Sequence, residues 1–196
     1  MSLEEYLAKK LKKYLIFDLD GTLFKVMIDW DIFRKQLEEM LQSFDPNLAE
    51  ENNLFMPDGL DRTLSAGVKK YGNKIYNKVI DLQARFEIES TQKLVPNNEL
   101  IEFIKRHGSK YYLSIWSNNC RPIIDKALNQ EKILDKFKTF ASRETYKLSK
   151  PEPDGFDVIF GQHQEKKDYL FIGNSDNDAI VAKTVGIDFY RVSMEK

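Results

Sequence analysis

The sequence predicts an α/β fold, an open parallel sheet covered by helices on both sides and interrupted once by a block of helices. Three observations carry this. Five short apolar runs have strand length: Tyr14–Phe17, Tyr111–Trp116, Thr139–Ala141, Tyr169–Ile172 and Ile187–Val192. Segments of helical periodicity alternate with the later runs, the signature of a parallel sheet. Between the first run and residue 95, three amphipathic helical patterns follow one another with no strand signal.

Taken in order, "YLIF" at Tyr14–Phe17 is the continuous apolar run of a strand buried on both faces. The chain then places Asp18 and Asp20 one residue apart, followed by Gly21 and Thr22. In the helical block, Trp30, Phe33, Leu37, Met40 and Leu41 keep helical spacing. So do Leu60, Leu64, Val68 and Tyr71, and then Ile75, Val79, Leu82 and Phe86. The stretch "SFDPNLAEENNLFMPDG" between the first two reads as a loop or a short helix. "NNELIEFIKRHG" reads as a helix with Asn98 as its cap, and "RPIIDKALNQ" puts Ile123, Ile124 and Leu128 on one face. "DAIVAKTVG" stops at Gly186. The expected division is an α/β core of residues 1–24 and 95–196 and a helical insert of residues 25–94.

Composition limits the function classes. The 196 residues suit one domain of ordinary size or a domain carrying an insert. Hydrophobic residues at 42% and aromatics at 12% exclude a disordered chain. Thirty Lys and Arg against 31 Asp and Glu leave no strong field to recruit nucleic acid or an anionic membrane. Cys120 is the only cysteine, which excludes an internal disulfide and fits a reducing cytoplasm. No apolar stretch approaches the roughly 20 residues needed to span a bilayer. The opening "MSLEEYLAKKLKK" has no apolar segment of a secretory signal.

Ligands of an open parallel sheet bind beyond the carboxyl ends of its strands. Four strand ends therefore converge: Asp18 and Asp20; Ser117 and Asn118; Lys147 and Lys150; Asn174, Asp176 and Asp178. Carboxylates, a hydroxyl, an ammonium and a carboxamide in one crevice suit a hard divalent cation together with a phosphoryl group. Mg²⁺ takes oxygen ligands, commonly one or two carboxylates plus substrate oxygens and waters. An ionised aspartate beside it can attack phosphorus, and a carboxyl two residues along can protonate the leaving oxygen and then activate water. A lysine and a hydroxyl on the non-bridging oxygens, with free backbone N–H groups after the first strand, supply charge stabilisation.

The string "DLDGTL" after an apolar strand, then Ser117, then Lys150 in "SKPEPDGF", then "IGNSDNDA" resembles the haloacid dehalogenase superfamily, which is dominated by phosphatases. The motifs span residues 13–192 and leave the helical insert without one. The resemblance implies a Rossmann-like core with a helical cap, Asp18 as nucleophile and Asp20 as general acid and base. It implies Mg²⁺ held by the Asp18 side chain, the Asp20 carbonyl, Asn174 and Asp178, and a phosphoryl group held by Thr22, Ser117, Asn118 and Lys150. The namesake dehalogenases lack the second aspartate, so Asp20 favours phosphate chemistry. The fourth motif usually begins Gly-Asp; here it reads Gly173–Asn174, a neutral ligand expected to weaken metal binding.

The expected function is Mg²⁺-dependent hydrolysis of a small phosphorylated metabolite. A phosphosugar-mutase-like transfer and a non-catalytic phosphate-binding module are the alternatives. Asp176 reads as a first-turn helix residue, and Lys150, directly before Pro151, is preferred over Lys147. His107 and His163 read as solvated residues of polar turns, and Cys120 as inert near a helix start. Trp30 and Phe33 read as packing of the insert, and Arg34, Arg62, Lys69 and Arg85 as charged helix faces with a lesser chance of reading an anionic substrate.

Overall fold

The computed structural model describes residues 1–161 and 164–194, which leaves the reading of His163 outside the described residues. After the short helix α1 (Leu3–Lys9), the chain forms β1 (Tyr14–Phe17), β2 (Phe24–Met27), α2 (Trp30–Leu41), α3 (Leu48–Glu51), α4 (Gly59–Tyr71) and α5 (Asn73–Ser90). It continues through β3 (Lys93–Pro96), α6 (Asn98–His107), β4 (Tyr112–Trp116), α7 (Arg121–Gln130) and β5 (Phe137–Ala141). It ends with α8 (Asp154–Ile159), β6 (Tyr169–Gly173), α9 (Asp176–Val185) and β7 (Asp188–Arg191).

Five strands form one parallel sheet in the order β5-β4-β1-β6-β7, a Rossmann-like α/β core with β1 at its centre. The pleat sorts its side chains between two layers. Leu15 and Phe17 pack with Leu113, Ile115, Leu170 and Ile172 under α6 and α7. Ile16 turns to the other face, with Trp116, Phe171 and the α9 residues Val181 and Val185. Trp116 stacks on Phe171 at 5.3 Å between ring centroids and 12° between planes. Each large side chain buried this way stabilises the fold by about 1.5–3 kcal/mol. The packing fixes the height at which β1 ends and Asp18 begins.

The helical block has an apolar core of its own, in which Phe33 and Leu37 of α2, Leu64 and Val68 of α4, and Ile75, Val79 and Phe86 of α5 meet. The short α3 occupies the stretch between the first two long helices. The insert is not joined to the core by loops alone. β2 and β3 pair antiparallel, Phe24 opposite Pro96 and Met27 opposite Lys93, so the chain enters and leaves the insert side by side.

Two local expectations are corrected. Asn97, not Asn98, caps α6: its side chain accepts from the Leu100 N–H at 3.4 Å, and Asn98 is the first helical residue. His107 closes α6 rather than lying in a turn, half-buried, its ring 5.5 Å from that of Phe103 and its Nε2 3.2 Å from Glu4.

Candidate active site

Asp18 follows β1 directly, and its N–H continues the sheet ladder to the Ile172 carbonyl at 3.0 Å, which sets the direction of its side chain. Its carboxylate is 5% exposed and engaged on both oxygens. Lys150 Nζ donates to Oδ1 at 2.8 Å and the Thr22 hydroxyl to Oδ2 at 3.0 Å. Lys150, itself 4% exposed, also donates to Asp178 Oδ1 at 2.5 Å and to the Trp116 carbonyl at 3.2 Å, three acceptors for three protons. Lys147, by contrast, is exposed.

The two acids flanking Lys150 differ. Asp178 belongs to the N-terminal capping box of α9, and its Oδ2 accepts the N–H groups of Asn174 at 3.2 Å and Ser175 at 3.1 Å. Burial opposes its charge, but Lys150 and these donors outweigh burial and hold its carboxyl below the ordinary range. For Asp18, burial dominates, Lys150 offsets only part of it, and the neighbouring Asp178 charge adds to it, so its carboxyl is raised. Burial likewise raises the Asp20 carboxyl to about 6 against the pull of the Val26 and Gly21 N–H groups; Val26 N–H meets Asp20 Oδ1 at 2.9 Å. Lys150 is raised, since the two carboxylates outweigh its burial.

Asn174 lies against the turn after β1. Its Oδ1 is 3.1 Å from the Thr22 hydroxyl, whose single proton serves either Asn174 or Asp18 at one time. Gly21, at φ +78°, leaves the room: a Cβ there would stand 2.3 Å from Asn174 Nδ2. The Asp18 and Asn174 oxygens thus gather around one hydroxyl, a set of hard oxygen donors that fits Mg²⁺. Among the described residues no group of three or more His, Cys, Asp or Glu side chains is arranged to hold a metal.

Ser117 directly follows β4, where its hydroxyl donates to Asn119 Oδ1 at 2.9 Å and accepts the Asn119 N–H at 3.2 Å. Asn118 Oδ1 accepts from the Tyr146 hydroxyl at 2.9 Å and from the Lys150 N–H at 3.0 Å, tying the second strand end to the lysine loop. Asp18, Asp20, Ser117, Asn118, Lys150 and Asn174 line one cavity of about 260 Å³. Thr22 sits behind Asp18, fully buried. Asp176 points away, paired with Arg191 at 2.7 Å.

A profile of the family described as haloacid dehalogenase-like hydrolase matches residues 15–192. The chain belongs to the haloacid dehalogenase-like hydrolases. It is 23% identical over 196 residues, covering 94% of its own length and 70% of the relative's, to phosphoglycolate phosphatase 1 of Pseudomonas aeruginosa. Its fold is similar to that of a haloacid dehalogenase-like hydrolase from Bacteroides fragilis, with a TM-score of 0.62 at 16% identity over 94% of this chain and 90% of that one. It is also similar to a magnesium-bound hydrolase of this superfamily from Bacillus subtilis, with a TM-score of 0.51 at 18% identity over 92% and 86% of the two chains.

The wall that the insert presents to this hydrolase's cavity was largely hidden in the sequence. Of the four cationic side chains considered there, only Arg34 lines the cavity, beside Trp30, Asp61, Leu64 and Gln83. Phe33 is buried in the insert, whereas Trp30 serves both packing and cavity. Burial raises the Asp61 carboxyl despite the nearby Asn118 side chain and the charges of Arg143 and Lys150. Gln83 and Glu87 of α5 reach the loop after β4. Gln83 Nε2 donates to the Asn118 carbonyl at 2.9 Å, and Glu87 accepts the Cys120 N–H at 2.8 Å and the Asn119 amide at 3.2 Å. Burial raises Glu87 to about 7, against the pull of these donors. Burial also pushes the pKa of the buried Cys120 thiol up. A signal existed: Ile75, Val79, Gln83 and Glu87 recur every fourth residue, so two polar residues continue a buried apolar stripe.

Proposed function

We propose that this hydrolase cleaves a small phosphate monoester, dependent on Mg²⁺ and through an aspartyl-phosphate on Asp18. The observation that carries the reading is a buried carboxylate at the end of the central strand, gripped by Lys150 and Thr22 and facing a cavity of about 260 Å³. That size suits a small substrate. The curated relative named as a phosphatase supports phosphate chemistry, and the magnesium-bound neighbour supports the metal.

In this reading Asp18 attacks phosphorus as the bond to the ester oxygen breaks, and Asp20 gives its proton to that oxygen. A carboxyl raised to about 6 is suited to carry that proton near neutrality. Asp20 then takes a proton from the water that attacks phosphorus, releasing phosphate and restoring Asp18. Lys150 and Ser117 hold the non-bridging oxygens, with Thr22 and Asn118 fixing Asp18 and the lysine loop. The Asp18 side chain, the Asp20 carbonyl, Asn174 and Asp178 would hold the metal. Mg²⁺ there would supply positive charge against the phosphoryl oxygens. We place this work in the cytoplasm, whose reducing conditions suit a sequence with a single, buried cysteine.

The test is release of phosphate from an activated aryl phosphate, with Mg²⁺ and with chelator. Activity should require the metal and fall at least about 10³-fold in Asp18→Asn, the scale of losing a covalent nucleophile. Metal-independent release, or an Asp18→Asn enzyme within tenfold of wild type, overturns the reading. An isomerised sugar phosphate in place of free phosphate would assign a mutase, and phosphate binding without turnover a binding module.

A further inference from the structure

Ser117 and Lys150 reach the cavity from different loops, and the residue that joins those loops, Tyr146, is not among the cavity's lining residues. The turn Ser117–Asn119 has no backbone carbonyl left free. The Tyr146 hydroxyl donates to the Ser117 carbonyl at 2.6 Å, Gln83 of the insert takes the Asn118 carbonyl at 2.9 Å, and the Arg143 N–H takes the Asn119 carbonyl at 3.0 Å. The same hydroxyl stands 2.9 Å from Asn118 Oδ1, which accepts the Lys150 N–H at 3.0 Å. Tyr146 is buried, and burial raises its phenol well above the ordinary range, so the hydroxyl keeps the proton it donates.

No regular element holds Tyr146 in place, because residues 142–153 form neither helix nor strand. Its support is Arg143, fully buried, whose Nη1 donates to the Tyr146 carbonyl at 3.0 Å and the Lys147 carbonyl at 2.9 Å. The guanidinium lies 5.8 Å from the centre of the Tyr146 ring and 5.4 Å from that of Tyr76 on α5. Tyr76 adds its own hydroxyl, 3.1 Å from the Arg143 carbonyl and 3.0 Å from that of Tyr146. Nε and Nη2 of Arg143 have no partner among the described residues. A buried charge with unfilled donors is unfavourable, so packing alone would favour an apolar side chain there. What Arg143 supplies is direction, holding two adjacent carbonyls of an irregular loop at one nitrogen. We propose that Tyr146 is a positioning residue for phosphoryl transfer: supported by Arg143 and Tyr76, it locks the Ser117 turn and the Lys150 loop to each other, so that both reach the oxygens of one phosphoryl group. This inference rests on the phosphatase reading of the same cavity.

The experiment uses an activated aryl phosphate with wild type and Tyr146→Phe, which keeps the ring against Arg143 and removes only the hydroxyl. It compares kcat, the inhibition constant of inorganic phosphate and the Mg²⁺ concentration at half-maximal rate, at a temperature where both proteins are folded by circular dichroism. A misplacement of about 1 Å by a residue away from the chemistry can cost about 100-fold, so Tyr146→Phe should lower kcat and weaken phosphate inhibition by at least about tenfold each. The Mg²⁺ requirement should stay within about threefold of wild type, because the proposed ligands stand at the ends of β1 and β6 and not on this loop. A merely structural loosening of the site would raise the Mg²⁺ requirement in step with the phosphate constant. A folded variant that loses less kcat than this, or in which both constants rise together, overturns the inference, while turnover by the wild type leaves the phosphatase reading standing. If Tyr146→Phe fails to fold, Tyr76→Phe, on a half-buried residue of the insert, takes its place. It should lower kcat by at least about threefold with the Mg²⁺ requirement unmoved, and a smaller loss overturns the inference. A wild type that does not turn over the aryl phosphate removes both readings.

Discussion

On the core wall of the cleft, Asp18 and Asp178 share Lys150 at 2.8 and 2.5 Å. On the insert wall, Glu87 is equally buried but gathers only neutral donors: Gln83, Asn119 and the Cys120 N–H. The consequence shows in their protonation. Asp178, with a cation and two N–H donors, is lowered; Asp18, which shares the cation without those donors, and Glu87, with burial unopposed by any charge, are both raised, Glu87 to about 7. A buried acid is held charged where a counter-charge and N–H donors act together, and neither alone outweighs burial here. The core wall is therefore a cluster of paired charges, and the insert wall is a hydrogen-bonded brace for the loop that carries Ser117.

The comparison breaks most visibly if Lys150 is removed. Lys150→Met leaves two buried carboxylates facing each other, and loss of one partner of a buried ion pair costs about 3–5 kcal/mol. Denaturant unfolding should report a loss of that order, and phosphate release should fall at least about 100-fold, given a charge-stabilising group of the kind that oxyanion donors supply. A loss below about 1 kcal/mol, the range of exposed pairs, would show that Lys150 does not carry the balance.

The smaller effect sharpens the other half. Because the folded pKa of Glu87 is raised above its ordinary 4.5 to about 7, the native state binds the extra proton between those values. Stability must then fall as pH rises through that window and level off above it, by up to about 3 kcal/mol at about 1.4 kcal/mol per unit. Asp18 and Asp20 are raised in the same direction, so the metal-free wild type and Glu87→Gln should be compared from pH 4.5 to pH 8 by denaturant unfolding. The wild type should lose more stability with rising pH than the variant. Parallel curves would mean that Glu87 is already solvated or paired.

The two walls also differ in how they could be read. Asp18, Ser117 and Asn174 follow strands whose apolar runs are unmistakable, because a sheet buried on both faces admits little else, and strand ends place what comes next; Lys150 is brought in by the long loop after β5. The β2–β3 pairing left no such trace. Its strands are four residues each and their partners lie on either side of the whole insert, so no local periodicity marks the pairing. The six-residue α8 is too short for a helical period. Helix α1 did carry its signal, a Ser2–Glu5 capping box with Leu3 and Leu7 buried. Of the two adjacent asparagines before α6, only backbone geometry distinguishes the cap. Gln83 and Glu87 were concealed because their partners are backbone and amide groups of a distant loop, which no residue type announces.

The central claim is that Asp18 itself becomes phosphorylated. Rapid quenching during turnover with Mg²⁺, reduction with borohydride and peptide mass spectrometry test it directly, since an acyl phosphate is reduced to the alcohol and a free carboxylate is not. Homoserine is expected at position 18, dependent on substrate and absent in Asp18→Asn. Unreduced aspartate at position 18 under conditions of steady turnover, or homoserine at Asp20 or Asp178 instead, would contradict it.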